Sequence, residues 1–131
     1  MYQLFLIFLG GGVGSLVRYA FNKHLNRIGI EGLLPLGTLS ANLLSCFIVG
    51  CVAQTLVLFP LPSSVVSDVR NFVVIGFCGG FSTFSTFANE NFIFIQQQQS
   101  LQAFAYTFLS FSLGVFAIWL GAKLISYFFA S

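Results

Sequence analysis

Four long apolar runs separated by short polar stretches set the pattern of this chain, and they predict helices at about residues 4–21, 35–59, 71–95 and 101–122. Each run is 18 to 25 residues long. At about 1.5 Å per helical residue that length crosses, or nearly crosses, a hydrocarbon core of about 30 Å. The breaks between runs carry the expected punctuation. Asn22 to Gly32 is a polar connection holding Lys23, His24, Arg27 and Glu31. Pro35 suits the first turn of the second helix, and Pro60-Leu61-Pro62 closes it. A serine-rich connection with Asp68 and Arg70 precedes the third run, and the polar tract Gln96 to Gln99 separates the third from the fourth.

The third run is the irregular one. Its centre reads Gly76-Phe-Cys-Gly-Gly-Phe-Ser-Thr-Phe-Ser-Thr-Phe87. The Gly79-Gly80 pair weakens a helix there, and four hydroxyl residues, Ser82, Thr83, Ser85 and Thr86, follow within six positions. The pattern predicts a discontinuous helix with a new half-helix starting after Gly80. Non-helical backbone at membrane depth is tolerated only where it is buried in protein or lines a cavity. In the first run, Gly10 and Gly14 are spaced to let another helix approach closely. In the fourth, Tyr106, Ser110 and Gly114 fall four apart on one slowly drifting face, which is predicted to point inward.

Composition then decides the class. Apolar residues make up 57% of the 131-residue chain and charged ones 6%, where a soluble domain carries about a quarter charged. Gly32 to Ser67 (36 residues) and Asn91 to Ala122 (32 residues) contain no charge at all. The expectation is an all-α integral membrane protein, residues 1–131 forming one four-span unit in the cell's inner or plasma membrane. No polar sequence remains for a soluble catalytic domain, and an enzyme is not expected. The five Lys and Arg are scattered singly, so there is no basic patch for nucleic acid. Cys46, Cys51 and Cys78 lie inside apolar runs without metal-ligand spacing, which reads as small buried hydrophobes. Met1-Tyr2-Gln3 enters apolar sequence without a basic segment, which predicts a retained first span.

The few charges also bear on assembly. Lys23 and Arg27, with Arg18 nearby, face one side, while Arg70 and Lys123 face the other. Orientation follows the Lys/Arg bias, and here the bias is almost nil. The chain is therefore expected to insert both ways and to pair as an antiparallel dual-topology homodimer about an axis in the membrane plane, closed two-fold pairing being the commonest oligomer.

Candidate chemistry concentrates around the predicted break. A half-helix starting inside the membrane offers free N–H groups and a positive dipole end, and the hydroxyls beside it add donors. Phe81, Phe84 and Phe87 recur every third residue, either as a packing ridge among the chain's 18 phenylalanines or as ring edges, which are electropositive, facing a small anion. Asn42 within the second run needs a partner across a helix interface or along a water-filled path. Glu90 is either functional, as intramembrane carboxylates usually are, or hydrated near the interface. Arg18 either draws anions into a vestibule or snorkels to headgroups.

Three segments, Gly10 to Arg18 (GGGVGSLVR), Gly37-Thr-Leu-Ser-Ala-Asn42 and the Gly76 to Phe87 motif followed by Glu90, resemble the CrcB/Fluc family of fluoride-specific ion channels over essentially the whole chain. The resemblance implies passive export of fluoride by an antiparallel dual-topology homodimer with two pores. It implies that Phe84 and Phe87 line the pore, that Asn42 is the pore asparagine, and that Ser85, Thr86 and Glu90 form and extend a polar track. Tyr106 and Ser110 are the matching positions on the fourth span. It further implies a structural Na⁺ at the dimer axis, held by the backbone carbonyls of Gly79 and Ser82 from each copy. Departures are modest: Ser82 stands where threonine is common, Phe81 where an aliphatic residue is common, and Ser45 where glycine is common. The alternative is a proton-coupled exporter of the small multidrug type. That class needs a carboxylate deep in its first span, and residues 4–21 have none.

Overall fold

A computed structural model of the chain describes residues 1–27 and 34–129, without the side chains of residues 26 and 27. Glu31 and much of the first connection therefore lie outside the described residues, as do the side chain of Arg27 and the final Ser131. Helix α1 spans Tyr2–Arg27 and α2 spans Leu36–Leu58. The third span begins as α3 (Ser63–Val69), widens into a π-helical segment (Arg70–Cys78) and ends its first half as α4 (Gly79–Phe81). Its second half is α5 (Phe84–Gln96), and α6 (Ser100–Phe129) completes the chain. Four of these stretches, Tyr2–Leu25, Leu36–Leu58, Ser63–Gln96 and Ser100–Phe129, are long and apolar enough to cross a membrane.

Several boundaries move from their expected places. The third span starts at Ser63, eight residues ahead of the expected Asn71. The serine-rich stretch thought to connect is helical, because Pro62 ends the turn and Ser63 to Ser67 contain no helix breaker. The fourth span continues through Lys123 to Phe129. The break falls at Ser82 and Thr83 and not after Gly80. Gly79 keeps helical angles (φ −63°, ψ −35°), whereas Ser82 (φ −76°, ψ 160°) and Thr83 (φ −150°, ψ 110°) are extended.

Glycines explain how the helices sit. A Cβ on Gly14 would collide with the Phe77 carbonyl, one on Gly10 with the Phe72 carbonyl, and one on Gly80 with the Gly11 carbonyl. Bare backbones thus make the crossing of α1 over the third span. A second crossing, α2 against α6, uses Gly50 beside the Ile118 carbonyl and Gly121 beside the Phe47 carbonyl. So Gly80 serves close approach, and its packing against α1 goes with a helical backbone there. The inward face of α6 carries Ala103, Tyr106, Gly114 and Gly121, all buried.

Little apolar side chain is buried. Among the described residues the buried apolar set is Leu39, Ala41, Cys78, Phe81, Ala103 and Tyr106. Phe104, Phe108, Phe111, Phe116 and Trp119 project outward along α6. That inversion suits hydrocarbon as the solvent, where apolar exteriors carry no penalty and backbone polar groups must be satisfied internally.

Candidate functional site

The break is built by side chains that take over hydrogen bonds an unbroken helix would make to itself. In a continuous helix the Thr83 N–H would reach the Gly79 carbonyl. It is instead given to Asn42 Oδ1 at 2.8 Å, and the Asn42 amide nitrogen donates back to the Thr83 carbonyl at 3.4 Å. The Thr86 N–H, which would reach the Ser82 carbonyl, goes to Thr83 Oγ1 at 3.3 Å. Thr83 is thereby the N-cap of α5. The Ser82 hydroxyl turns back onto the Cys78 carbonyl at 2.7 Å, closing the end of α4. Arg18 Nη1 donates to the Ser82 carbonyl at 3.2 Å.

Phe84 starts α5 and is 80% exposed. Its ring lies 6.0 Å from that of Phe87, which in turn lies 5.0 Å from Tyr106. Phe81 does not continue this row. It is 1% exposed, stacks on Phe77 and meets Phe21 edge-on. The extended residues between Phe81 and Phe84 rotate the two rings onto different sides, so no single ridge forms.

An open groove of about 600 Å³ runs beside the break, and Asn42, Gly79, Ser82, Phe84, Phe87 and Ser110 line it. Ser45, also on its wall, and Ser110 each hold a buried hydroxyl oxygen without a partner. Ser85 and Thr86 are exposed one turn away and join through Thr83 Oγ1, at 3.4 Å and 2.9 Å respectively. Glu90 belongs to a connected cluster. Its Oε1 accepts from Thr38 Oγ1 at 2.7 Å and its Oε2 from the Tyr106 hydroxyl at 2.8 Å. Tyr106 is fully buried and Thr38 nearly so. Arg18 does not line the groove. It approaches the break from α1.

The sequence pattern did not single out Thr38, and it gave Thr83 only as one of four hydroxyls beside the break. Thr38 lies four residues before Asn42 on one face of α2, a spacing that marks it as a neighbour of the site. Thr83 heads a Thr-x-x-Thr sequence, a cap pattern recognisable beside a predicted helix start.

The geometry also bears on cation binding. Among the described residues no three His, Cys, Asp or Glu side chains converge. Backbone oxygens are the available donors. The diverted N–H groups leave the Gly79 and Ser82 carbonyls without their helical donors, and Gly79 is among the residues lining the groove. A backbone carbonyl freed in this way, as at Gly79, is the kind of donor a monovalent cation would take. The Ser82 oxygen has one lone pair taken by Arg18 and a second to offer.

A discontinuous helix between packed spans, with polar groups gathered at the discontinuity, defines a membrane protein of the transport class, which uses broken helices at its ion sites. The chain belongs to the CrcB/FluC family: the family model described as CrcB-like protein, Camphor Resistance (CrcB), matches residues 5–122. It is 35% identical over 125 residues to the fluoride-specific ion channel FluC of Gloeothece citriformis, covering 95% of this chain and 98% of the relative. It is 38% identical to the protein of that name from Phocaeicola vulgatus, covering 92% and 96%. The corresponding protein of Ignicoccus hospitalis is 32% identical, covering 95% of each chain.

Proposed function

We propose that this chain is a fluoride-specific ion channel that lets fluoride leave the cytoplasm passively. The observation that carries the reading is the capped break itself, which sets Phe84 and Phe87 beside Thr83, Ser85 and Thr86. Fluoride is small and strongly hydrated, so a path must replace water with many weak contacts that still release the ion. The start of α5 supplies them. By position the Phe84 and Ser85 N–H groups have no helical acceptor, and the dipole's positive end lies there. The Phe84 and Phe87 ring edges, the Ser85 and Thr86 hydroxyls and the unpartnered Ser110 hydroxyl extend the series. Asn42 supports it by holding the Thr83 backbone. Glu90, with Tyr106, terminates the polar track, its oxygens held by two hydroxyls.

The working unit of this proposal is an antiparallel homodimer of chains inserted in both orientations. The near-even Lys/Arg distribution supports it, as do the open groove and the exposed Phe84 ring, surfaces a second copy would cover. Gly79 and Ser82 carbonyls from both copies would hold a Na⁺, which when bound supplies a fixed charge joining the two breaks. Reporter fusions at Ser131 test the topology, and one uniform orientation across a cell population overturns it. The function is tested with purified protein in fluoride-loaded liposomes read by a fluoride electrode. Fast fluoride efflux without chloride efflux is expected; equal chloride flux, or none of either ion, contradicts the assignment.

A further inference from the structure

One peptide unit of the break is held at both ends by neighbouring helices. The Ser82 carbonyl accepts from Arg18 of α1, and the N–H of the same peptide, on Thr83, is given to Asn42 of α2. Among the described residues no peptide bond is cis, and in a trans peptide these two groups point in opposite directions. The linkage between two extended residues is thus gripped from two sides. Without one grip, it is free to swing about its flanking torsions, since neither end belongs to a helical ladder.

The position of Arg18 follows from the face of α1 that contacts the third span. Gly11 lies against Gly80, Gly14 against Phe77 and Phe81, and the Ser15 hydroxyl reaches the Gly80 carbonyl at 3.5 Å. Arg18 continues the stripe 11, 14, 15, 18, the i, i+3, i+4, i+7 pattern of one helix face. The glycines bring α1 close, and Arg18 then meets the carbonyl next along the same crossing. Its partner is a carbonyl and not a carboxylate. A cation kept free to gather anions would face the groove, whereas Arg18 does not line it.

We propose that Arg18 is a positioning residue for permeation: its bond to the Ser82 carbonyl fixes the break's peptide and so aims α5, with Phe84 and Phe87, at the ion's path. The functional part of this inference rests on the fluoride-channel reading; the clamp itself does not. Arg18→Met keeps the apolar stem and removes donor and charge together. Flux is measured against fluoride concentration in liposomes, at low and high ionic strength set with an impermeant salt. Loss of a charge-assisted bond at the break is expected to lower maximal flux about tenfold or more. The half-saturating concentration should hold within about twofold, and the deficit should be equal at both ionic strengths, since contact hydrogen bonds are little screened. A free cation acts otherwise, through local ion concentration. A deficit confined to half-saturation and vanishing at high ionic strength would overturn the proposal.

A second measurement does not depend on transport. Solid-state NMR of wild-type protein in lipid, with ¹³C-carbonyl serine and ¹⁵N-guanidinium arginine, should show dipolar coupling across about 4 Å, as a carbonyl hydrogen bond requires. Arg18→Lys assigns that coupling by abolishing it. Its absence from the wild type refutes the clamp even where Arg18→Met fails to fold. Wild-type protein that passes no fluoride refutes the channel reading, while the NMR contact decides the clamp separately.

Discussion

The Glu90 cluster gives a prediction whose size follows from its geometry. Tyr106 is fully buried and donates to Glu90 Oε2 at 2.8 Å. Tyr106→Phe removes that hydroxyl and little else, because the ring keeps its contacts with Phe87 at 5.0 Å and Phe94 at 6.2 Å. With Glu90 in its charged form, a hydrogen bond to it is worth about 1.5–3 kcal/mol. In a Glu90→Gln background the same bond is neutral and worth about 0.5–1.5 kcal/mol. Tyr106→Phe should therefore cost more in the native background than in the Glu90→Gln one, with a coupling of about 1 kcal/mol or more. Reversible unfolding of the four proteins in mixed micelles measures the cycle. Equal costs in both backgrounds would refute the claim that Tyr106 serves the carboxylate. Thr38→Val probes the other oxygen, bonded at 2.7 Å, and should behave alike.

Three further substitutions test the packing and the turn. Gly14→Ala should abolish correct assembly, because its Cβ would strike the Phe77 carbonyl and lie 2.9 Å from the Phe81 nitrogen. Gly12→Ala, with nothing within 4 Å of its Cβ, should leave folded protein undiminished in size-exclusion profiles. Gln98 closes α5 in the left-handed region at φ 59°, with its N–H on the Ile95 carbonyl and that of Gln99 on the Phe94 carbonyl, a glycine-favouring helix end. Gln98→Gly should stabilise the chain by about 1 kcal/mol in the same unfolding assay, and a destabilisation contradicts that account.

The sequence read well where a residue type has one physical use. Uncharged runs of membrane-spanning length, Gly10 and Gly14 in a close crossing, and the inward face of Tyr106 and Gly114 all follow from composition and spacing. It read less well at the break. Gly79-Gly80 looked like the point of failure because glycine lowers helix stability. Yet close packing against α1 holds Gly80 helical, and the chain opens at Ser82-Thr83, where Asn42, Arg18 and the Thr83 hydroxyl offer alternative hydrogen bonds. The Thr83 cap is local, but the other two partners arrive only by tertiary contact, with Arg18 and Asn42 lying 64 and 41 residues from the groups they bind. The Phe81, Phe84, Phe87 periodicity misled for the same cause: a period has meaning only while the helix continues.

The central claim is that fluoride passes along the ring edges and donors at the start of α5, and fluoride efflux from liposomes bearing Phe84→Ile or Phe87→Ile tests it most directly. Isoleucine keeps an apolar bulk but has no electropositive ring edge, so both variants should fold and assemble as the native protein does and pass fluoride more slowly. Undiminished efflux in both would remove the rings from the path and contradict the account.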